Sequence, residues 1–270
     1  MVISLTSPVQ AQALKPPASR VDNFREVIHG VEIIDPYRWL EDQESPETRA
    51  WIDAQNKYTH SLLDGLPSRP LIQKRLSELL RVDSVSPPFE WGGRYFLYKK
   101  RAEDDLSILY VRQGLNGKDE VLIDPHTLSP DHTTDIGLLD ASNDGKLIVY
   151  SIRRGGQDET ELRVMDVDKR KDVDQLPHAL YRGVSMKKDG SGFYYNLQRR
   201  DTGIRVFYHA IGTDPSKDVE VFGKGYGPDK WIGGSVSEDG KYLLFGVQHG
   251  WARNEIYVQK LSGGSIQTIV

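Results

Sequence analysis

Asn143-Asp144-Gly145, followed by Leu147-Ile148-Val149-Tyr150, is a tight turn that runs into an apolar strand, and the chain repeats this arrangement. Glycine supplies the positive φ that such a turn requires, and aliphatic and aromatic residues favour a strand. The other copies are Gly92-Gly93 before Tyr95-Phe96-Leu97-Tyr98, Asp189-Gly190-Ser191-Gly192 before Phe193-Tyr194-Tyr195, and Glu238-Asp239-Gly240 before Tyr242-Leu243-Leu244-Phe245. The regularity predicts one structural unit for each of the four copies.

Further strands follow each turn at similar distances. The second strand is centred on Leu109, Leu162, Val206 and Ile256, each 16 or 17 residues after a turn glycine. A third strand is predicted at Val121-Leu122-Ile123, at Val219-Glu220-Val221-Phe222 and from Ile266 to Val270. Units of about 45 to 52 residues with about four strands each are typical of β-propeller blades. A large β-sandwich with irregular hairpins is the alternative.

Residues from about 45 to 80, ahead of these repeats, have the pattern of two helices. Ser45 is a suitable N-cap and Pro46 suits the first helical position. One apolar stripe comprises Trp51, Ala54, Tyr58 and Leu62, and a second, in a helix that starts near Pro70, comprises Ile72, Leu76, Leu79 and Leu80. The fold expected is therefore mainly β, with a partial propeller after an α-helical amino-terminal segment.

Composition excludes several classes of function. The 270 residues are 38% hydrophobic and 27% charged, with a net charge of −4, which predicts a soluble globular protein. Charges of both signs are mixed along the chain, so neither a nucleic acid nor a membrane surface is an expected partner. The chain has no cysteine, which excludes disulfides, thiolate catalysis and cysteine-based zinc sites.

The first residues carry one weak targeting signal. Ala11-Gln12-Ala13 has the small-x-small form of a signal-peptidase site, but only Val2 to Leu5 form an apolar run before it. Residues 1–20 are therefore expected to be a flexible arm, with a clipped export signal as the alternative. The expected compartment is the cytoplasm or the periplasm.

No catalytic constellation is found among these residues. A nucleophile elbow needs G-x-S-x-G, and the nearest segment, Gly233-Gly234-Ser235-Val236-Ser237, has serine at the last position. The seven histidines have no zinc-ligand spacing, and the paired acids Glu41-Asp42, Glu103-Asp104-Asp105 and Asp158-Glu159 read as solvated loops. No catalytic residue, metal site or cofactor is predicted.

A family resemblance extends beyond these patterns. The segments that carry it are Asp35-Pro36-Tyr37-Arg38-Trp39-Leu40-Glu41-Asp42, Ala54-Gln55-Asn56, Arg94-Tyr95-Phe96, Leu122-Ile123-Asp124-Pro125, Tyr208-His209-Ala210-Ile211-Gly212-Thr213-Asp214 and Lys230-Trp231-Ile232-Gly233-Gly234. With these segments the chain resembles the amino-terminal part of the prolyl oligopeptidase family of serine peptidases, and it is closer to prolyl endopeptidases than to oligopeptidase B. The resemblance spans roughly residues 17–270.

The resemblance implies a domain plan. Residues 21–82 correspond to the helical segment that packs on the family's α/β-hydrolase domain, and residues 83–270 to about four of the seven blades of its propeller. In the family the propeller gates the active site, the hydrolase domain carries the Ser-Asp-His triad, and short peptides are cut after proline. The 270 residues contain no such triad, so this chain is expected to be inactive alone.

Two substrate-binding residues follow from the resemblance. Tyr181 takes the position of a family aromatic near the substrate's proline, and Ile232 that of an apolar residue, often methionine. For both, packing at a blade edge is the alternative. The expected partners are short proline-containing peptides and a hydrolase domain that is missing or separate. The alternative functions are a stand-alone propeller that binds a ligand without catalysis and a half that docks on a separately encoded hydrolase.

Overall fold

The computed structural model describes residues 15–269, which form two compact units that divide after Leu80. The predicted signal remnant at Ala11-Gln12-Ala13 lies outside the described residues. No helix in the described part of the chain is long and apolar enough to cross a membrane.

The first unit combines a β-hairpin with helices. Its elements are β1 (Phe24–Ile28), β2 (Val31–Asp35), a 3-10 helix (Arg38–Glu41), α1 (Pro46–Leu63) and α2 (Ser68–Leu80). The helices match the sequence-based prediction to within a few residues, with Ser45 at the N-cap of α1. The hairpin was not predicted. It turns through His29 and Gly30, both with positive φ, which is the geometry of a tight two-residue turn.

The tryptophans of the first unit contact each other. The rings of Trp39 and Trp51 meet edge to face with their centroids 6.3 Å apart, and both side chains are half-buried. The indole N–H of Trp39 donates to the Arg20 carbonyl oxygen at 2.9 Å, and that of Trp51 to Ser19 Oγ at 2.8 Å. By contrast, α2 leaves Ile72, Leu76, Leu79 and Leu80, its predicted apolar stripe, exposed.

The second unit consists of four consecutive antiparallel sheets. The first contains β3 (Ser84–Val85), β4 (Phe89–Trp91), β5 (Arg94–Lys100), β6 (Ile108–Gln113) and β7 (Asp119–Ile123). The second contains β8 (Thr134–Ala141), β9 (Leu147–Arg154), β10 (Thr160–Asp166) and β11 (Lys171–Ala179). The third contains β12 (Tyr181–Met186), β13 (Gly192–Arg199), β14 (Gly203–Ala210) and β15 (Val219–Phe222). The fourth contains β16 (Trp231–Val236), β17 (Tyr242–His249), β18 (Arg253–Lys260) and β19 (Gln267–Thr268).

Each predicted turn lies between two paired strands of one sheet. The strands predicted after the turns are β5, β9, β13 and β17, and the second strands are β6, β10, β14 and β18. The polar strand β11 was not predicted. Within residues 15–269 no strand of the fourth sheet pairs with the first, so the sheets do not close into a ring.

Three hydrophobic cores lie between consecutive sheets. The core between the second and third sheets contains Val149, Leu162 and Phe193, whereas Ile148 and Tyr150 of the same strand β9 belong to the core between the first and second sheets. The third and fourth sheets share a core around Val206 and other residues, namely Tyr194, Ile204, Ile232, Leu243, Phe245 and Val247. A strand that is covered on both faces is apolar at every position, which explains the continuous runs in the sequence.

The repeat residues show which sheet face is uncovered. Leu109, Leu162 and Val206 are each 0% exposed, because each packs against the sheet that follows its own. Ile256 occupies the equivalent position in the fourth sheet and is 42% exposed. The described residues place no further sheet against it.

A buried histidine bridges the second and third sheets. His209 on β14 has no exposed surface. Its Nδ1 lies 2.8 Å from Asp218 Oδ1 and its Nε2 lies 3.0 Å from Asp174 Oδ2, which belongs to β11. Tyr195 donates its hydroxyl to the other oxygen of Asp218 at 2.8 Å. Carboxylates only accept hydrogen bonds, so each ring nitrogen of His209 faces an acceptor.

The turn of the first sheet provides a test of close backbone approach. Gly92 and Gly93 both have positive φ, but a Cβ on Gly92 would lie 2.5 Å from the Asp144 carbonyl carbon, whereas a Cβ on Gly93 would contact nothing within 4 Å. Both alanine variants lose about 1–2 kcal/mol of stability, because alanine is strained in the left-handed backbone conformation. We expect Gly92→Ala to cost about 1–3 kcal/mol more than Gly93→Ala because of overpacking. Urea unfolding of the two variants measures the difference, and equal midpoints would contradict the close approach.

Candidate functional site

An apolar depression lined by Tyr181, a predicted site residue, lies where the second and third sheets meet. It has a volume of about 770 Å³ and is called the large cavity here. Its apolar lining includes Leu176, Pro177, Leu180, Tyr181, Tyr195 and Leu197, and its polar lining includes Glu159, Gln175, Gln198, Arg199, Arg200, Asp214 and Ser216. An apolar floor with a polar rim is the usual composition of a site for a small organic ligand or peptide.

Tyr181 is held in this cavity by two contacts. Its hydroxyl donates to the Pro177 carbonyl oxygen at 2.6 Å, and its ring meets that of Tyr195 edge to face at 5.6 Å. Burial raises the pKa of Tyr181, and the negative charge of Asp218 raises it further. The hydroxyl therefore stays neutral and donating, and the ring presents a fixed apolar surface to the cavity.

Ile232 lies in a different environment. It is 4% exposed and packs in the core between the third and fourth sheets, next to Phe245. It also lines a separate cavity of about 250 Å³ together with Arg182, Asn196, Trp231, Gly233, Gly246 and Gln248. Tyr181 and Ile232 thus line two different cavities formed by the described residues, and the role of each in substrate binding stays a prediction.

A third cavity shares one lining residue with each of these two cavities. It has a volume of about 290 Å³, and Tyr181 and Arg182 both line it. Arg182 also lines the Ile232 cavity, where its guanidinium carbon lies 5.5 Å from the centre of the Trp231 ring. Sequence reasoning did not single out Arg182 or Tyr195 as site residues, because an arginine or a tyrosine in a strand has no distinctive spacing.

Potential metal ligands are not clustered. In the part of the chain that the structure describes, no group of three or more His, Asp or Glu residues could hold a metal ion. The carboxylates of Asp174 and Asp218, next to His209, are already engaged in hydrogen bonds within the protein. The chemistry that the described site offers is binding through apolar rings and hydrogen bonds.

Comparison with known proteins agrees with the architecture. Residues 16–270 match the family model described as prolyl oligopeptidase, N-terminal beta-propeller domain. A prolyl endopeptidase from Elizabethkingia miricola is 31% identical over 261 residues, which are 93% of this chain and 37% of that protein. Prolyl oligopeptidase A from Amanita bisporigera is 27% identical, over 92% of this chain and 38% of its own length.

Solved structures show the same relationship. A chain from a structural and mechanistic analysis of two prolyl endopeptidases superposes with a TM-score of 0.80 and 34% identity, covering 95% of this chain and 39% of that one. Oligopeptidase B from Leishmania major, at 16% identity and a TM-score of 0.73, shares the fold over 95% of this chain and 39% of its own. The chain thus spans less than two fifths of the length of these relatives. It belongs to the prolyl oligopeptidase family, and its sequence is that of the family's amino-terminal propeller domain.

Proposed function

We propose that this chain gates and lines the active site of a prolyl oligopeptidase-like serine endopeptidase that cleaves short peptides after proline. The observation that carries the proposal is the family match over residues 16–270, with Tyr181 exposing its ring in the large cavity. The 270 residues contain no G-x-S-x-G segment. The nucleophile is therefore assigned to an α/β-hydrolase domain that is continuous with this chain or separately encoded.

The uncovered faces support a propeller with further blades. Ile256 and Leu244 lie on the face of the fourth sheet opposite the core, next to Gly233 and Gly246, and line an open apolar depression of about 480 Å³. In the preceding sheets this face is filled by the next sheet. We propose that the four sheets are successive blades of a seven-bladed propeller and that another blade covers Ile256.

The helical segment is assigned to contact with the hydrolase domain. α2 exposes Leu71, Ile72, Leu76, Leu79 and Leu80, with Leu71 70% exposed. A contiguous apolar helix face in water is typical of a protein–protein contact. We propose that residues 21–82 provide the surface on which the hydrolase domain packs, as in the family.

Peptide binding by the 270-residue chain tests the role of Tyr181. The blocked peptide acetyl-Ala-Ala-Pro-Ala-amide is expected to bind, and Tyr181→Ala is expected to weaken binding about 5–10-fold, because an aromatic contact contributes about 0.5–1.5 kcal/mol beyond its buried area. Tyr181→Phe keeps the ring and should bind as the parent does. Isothermal titration calorimetry measures all three affinities.

A matched control is Tyr242→Ala, which removes a partly exposed aromatic ring from the fourth sheet outside the large cavity. Its affinity for the peptide should equal that of the parent chain. Unchanged binding by Tyr181→Ala would reject the large cavity as the peptide site. Hydrolysis of a proline-containing chromogenic peptide should be absent with the purified chain and appear when a family hydrolase domain is supplied. Cleavage by the chain alone would overturn the assignment of the nucleophile.

A further inference from the structure

The 290 Å³ cavity beside Tyr181 contains an excess of positive charge. Its charged lining consists of Arg153, Arg182 and Asp158, and Ser151 and Thr160 add hydroxyl groups. Two cations against one carboxylate give the cavity a net positive charge. It is called the arginine cavity below.

Several arginines of the same unit form ion pairs, and within the described residues these two exposed arginines do not. Arg94, Arg112 and Arg163 are each paired with an aspartate, at 2.7, 2.6 and 3.0 Å. Arg153 and Arg182 form no ion pair within residues 15–269, although Asp158 lines the same cavity. Arginine forms strong two-point hydrogen bonds with carboxylates. Two arginines that lack an ion-pair partner at one cavity can therefore bind an anionic group there.

Arg182 is also held in place. Its Nε donates to Gln198 Oε1 at 2.5 Å, and its guanidinium lies over the Trp231 ring at 5.5 Å from the ring centre. These contacts use the Nε–H and one face of the group. The edge formed by the two terminal nitrogens stays free to donate two parallel hydrogen bonds to one carboxylate. Little side-chain freedom is lost on binding, since the guanidinium is already oriented.

Size and position define what would occupy this cavity. A volume of 290 Å³ admits a carboxylate-bearing group and not a whole peptide. Tyr181 lines both this cavity and the large cavity, so a group in one lies beside a ligand in the other. The anion therefore belongs to the peptide whose proline region occupies the large cavity.

We propose that Arg182, assisted by Arg153, binds a carboxylate of the peptide substrate and makes this protein selective for peptides that carry one near the proline. The inference rests on the proposed peptide-binding function of the large cavity. The carboxylate comes from an acidic side chain or from the free carboxyl terminus of a short peptide, and both present the same two oxygens to the guanidinium.

Three peptides test the proposal by calorimetric titration of the 270-residue chain. They are acetyl-Asp-Ala-Pro-Ala-amide, its Asn analogue with the same amide end, and the Asn analogue with a free carboxyl terminus. At least one of the two charged peptides is expected to bind about 5–20-fold tighter than the neutral peptide, as charge-assisted hydrogen bonds contribute more than neutral ones. The peptide that gains affinity identifies the source of the carboxylate.

Arg182→Gln is expected to remove this preference, measured as the ratio of charged-peptide to neutral-peptide affinity of the same variant, and Arg153→Gln is expected to reduce that ratio. The matched control is Arg101→Gln, which removes the same charge from an exposed residue outside the cavity and should keep the preference. If all peptides bind the parent chain equally, or if Arg182→Gln keeps the preference, the carboxylate proposal is wrong and peptide binding stands. If no peptide binds, the proposed function fails and the inference fails with it.

Discussion

The His209→Leu variant is expected to be about 3–5 kcal/mol less stable than the parent chain, because the change removes the ring that lies between two buried carboxylates and leaves them only hydrogen bonds from neutral groups, such as the Tyr195 hydroxyl and the Gly212 N–H. The side chains of Asp174 and Asp218 are only 10% and 4% exposed, and each directs one oxygen at a different nitrogen of the ring. Leucine has a similar volume and donates no hydrogen bond. Urea unfolding monitored by near-ultraviolet circular dichroism measures the loss.

The matched control is His178→Leu, which replaces an exposed histidine on β11 of the same bridged sheet. Its stability should lie within about 0.5 kcal/mol of the parent. Changing both acids to asparagine in the His209→Leu background should restore part of the stability, because neutral amides cost less to bury than charges. A His209→Leu variant as stable as the control would show that the bridge contributes nothing.

Phe245→Ala is expected to cost about 3–5 kcal/mol, the usual loss for a large aromatic side chain removed from a core. Phe245 is 1% exposed, and its ring stacks on that of Phe222 of the third sheet with centroids 4.3 Å apart. The lost contacts lie between the third and fourth sheets. Hydrogen exchange with mass spectrometry should therefore show faster exchange in β16 to β18, while β5 and β6 stay protected.

Tyr242→Ala is the control for this second prediction, since Tyr242 begins the same strand and is 36% exposed. It should cost less than about 1 kcal/mol and leave the exchange pattern unchanged. Uniformly faster exchange in all four sheets of Phe245→Ala would contradict the assignment of separate cores to consecutive pairs of sheets.

Much of the strand arrangement could be predicted because it has local causes. Gly145, Gly190 and Gly240 have positive φ in the structure, and each lies just before a strand with an apolar run. In β9 and β13 that run reflects cover on both faces of the strand. β11 was missed because its Lys171-Asp172-Val173-Asp174 sequence is polar. Asp174 of this strand contacts His209 of the next sheet, and no local sequence pattern reveals that contact.

The site was less predictable for the same reason. The resemblance to the family selected Tyr181 and Ile232. The structure shows Tyr181 in the large cavity and Ile232 largely buried in a core. The partners that fix Tyr181 are Pro177 and Tyr195, which come from two different sheets. Arg182 has no distinctive sequence pattern, and its position at a cavity beside Tyr181 is visible only when the neighbouring strands are in place.

The sharing of each core by two consecutive sheets has a consequence for biosynthesis. Every core of the second unit is complete once the chain has been made as far as the later of its two sheets. Repeats that contact only their neighbours can form in succession. During translation the first and second sheets can therefore fold and pack together while later residues are still in the ribosome. Each sheet that follows can pack against the apolar face of the folded sheet before it. The apolar face that awaits the next sheet is then the one on the most recently folded sheet, and a chaperone that protects the nascent chain needs to cover that face.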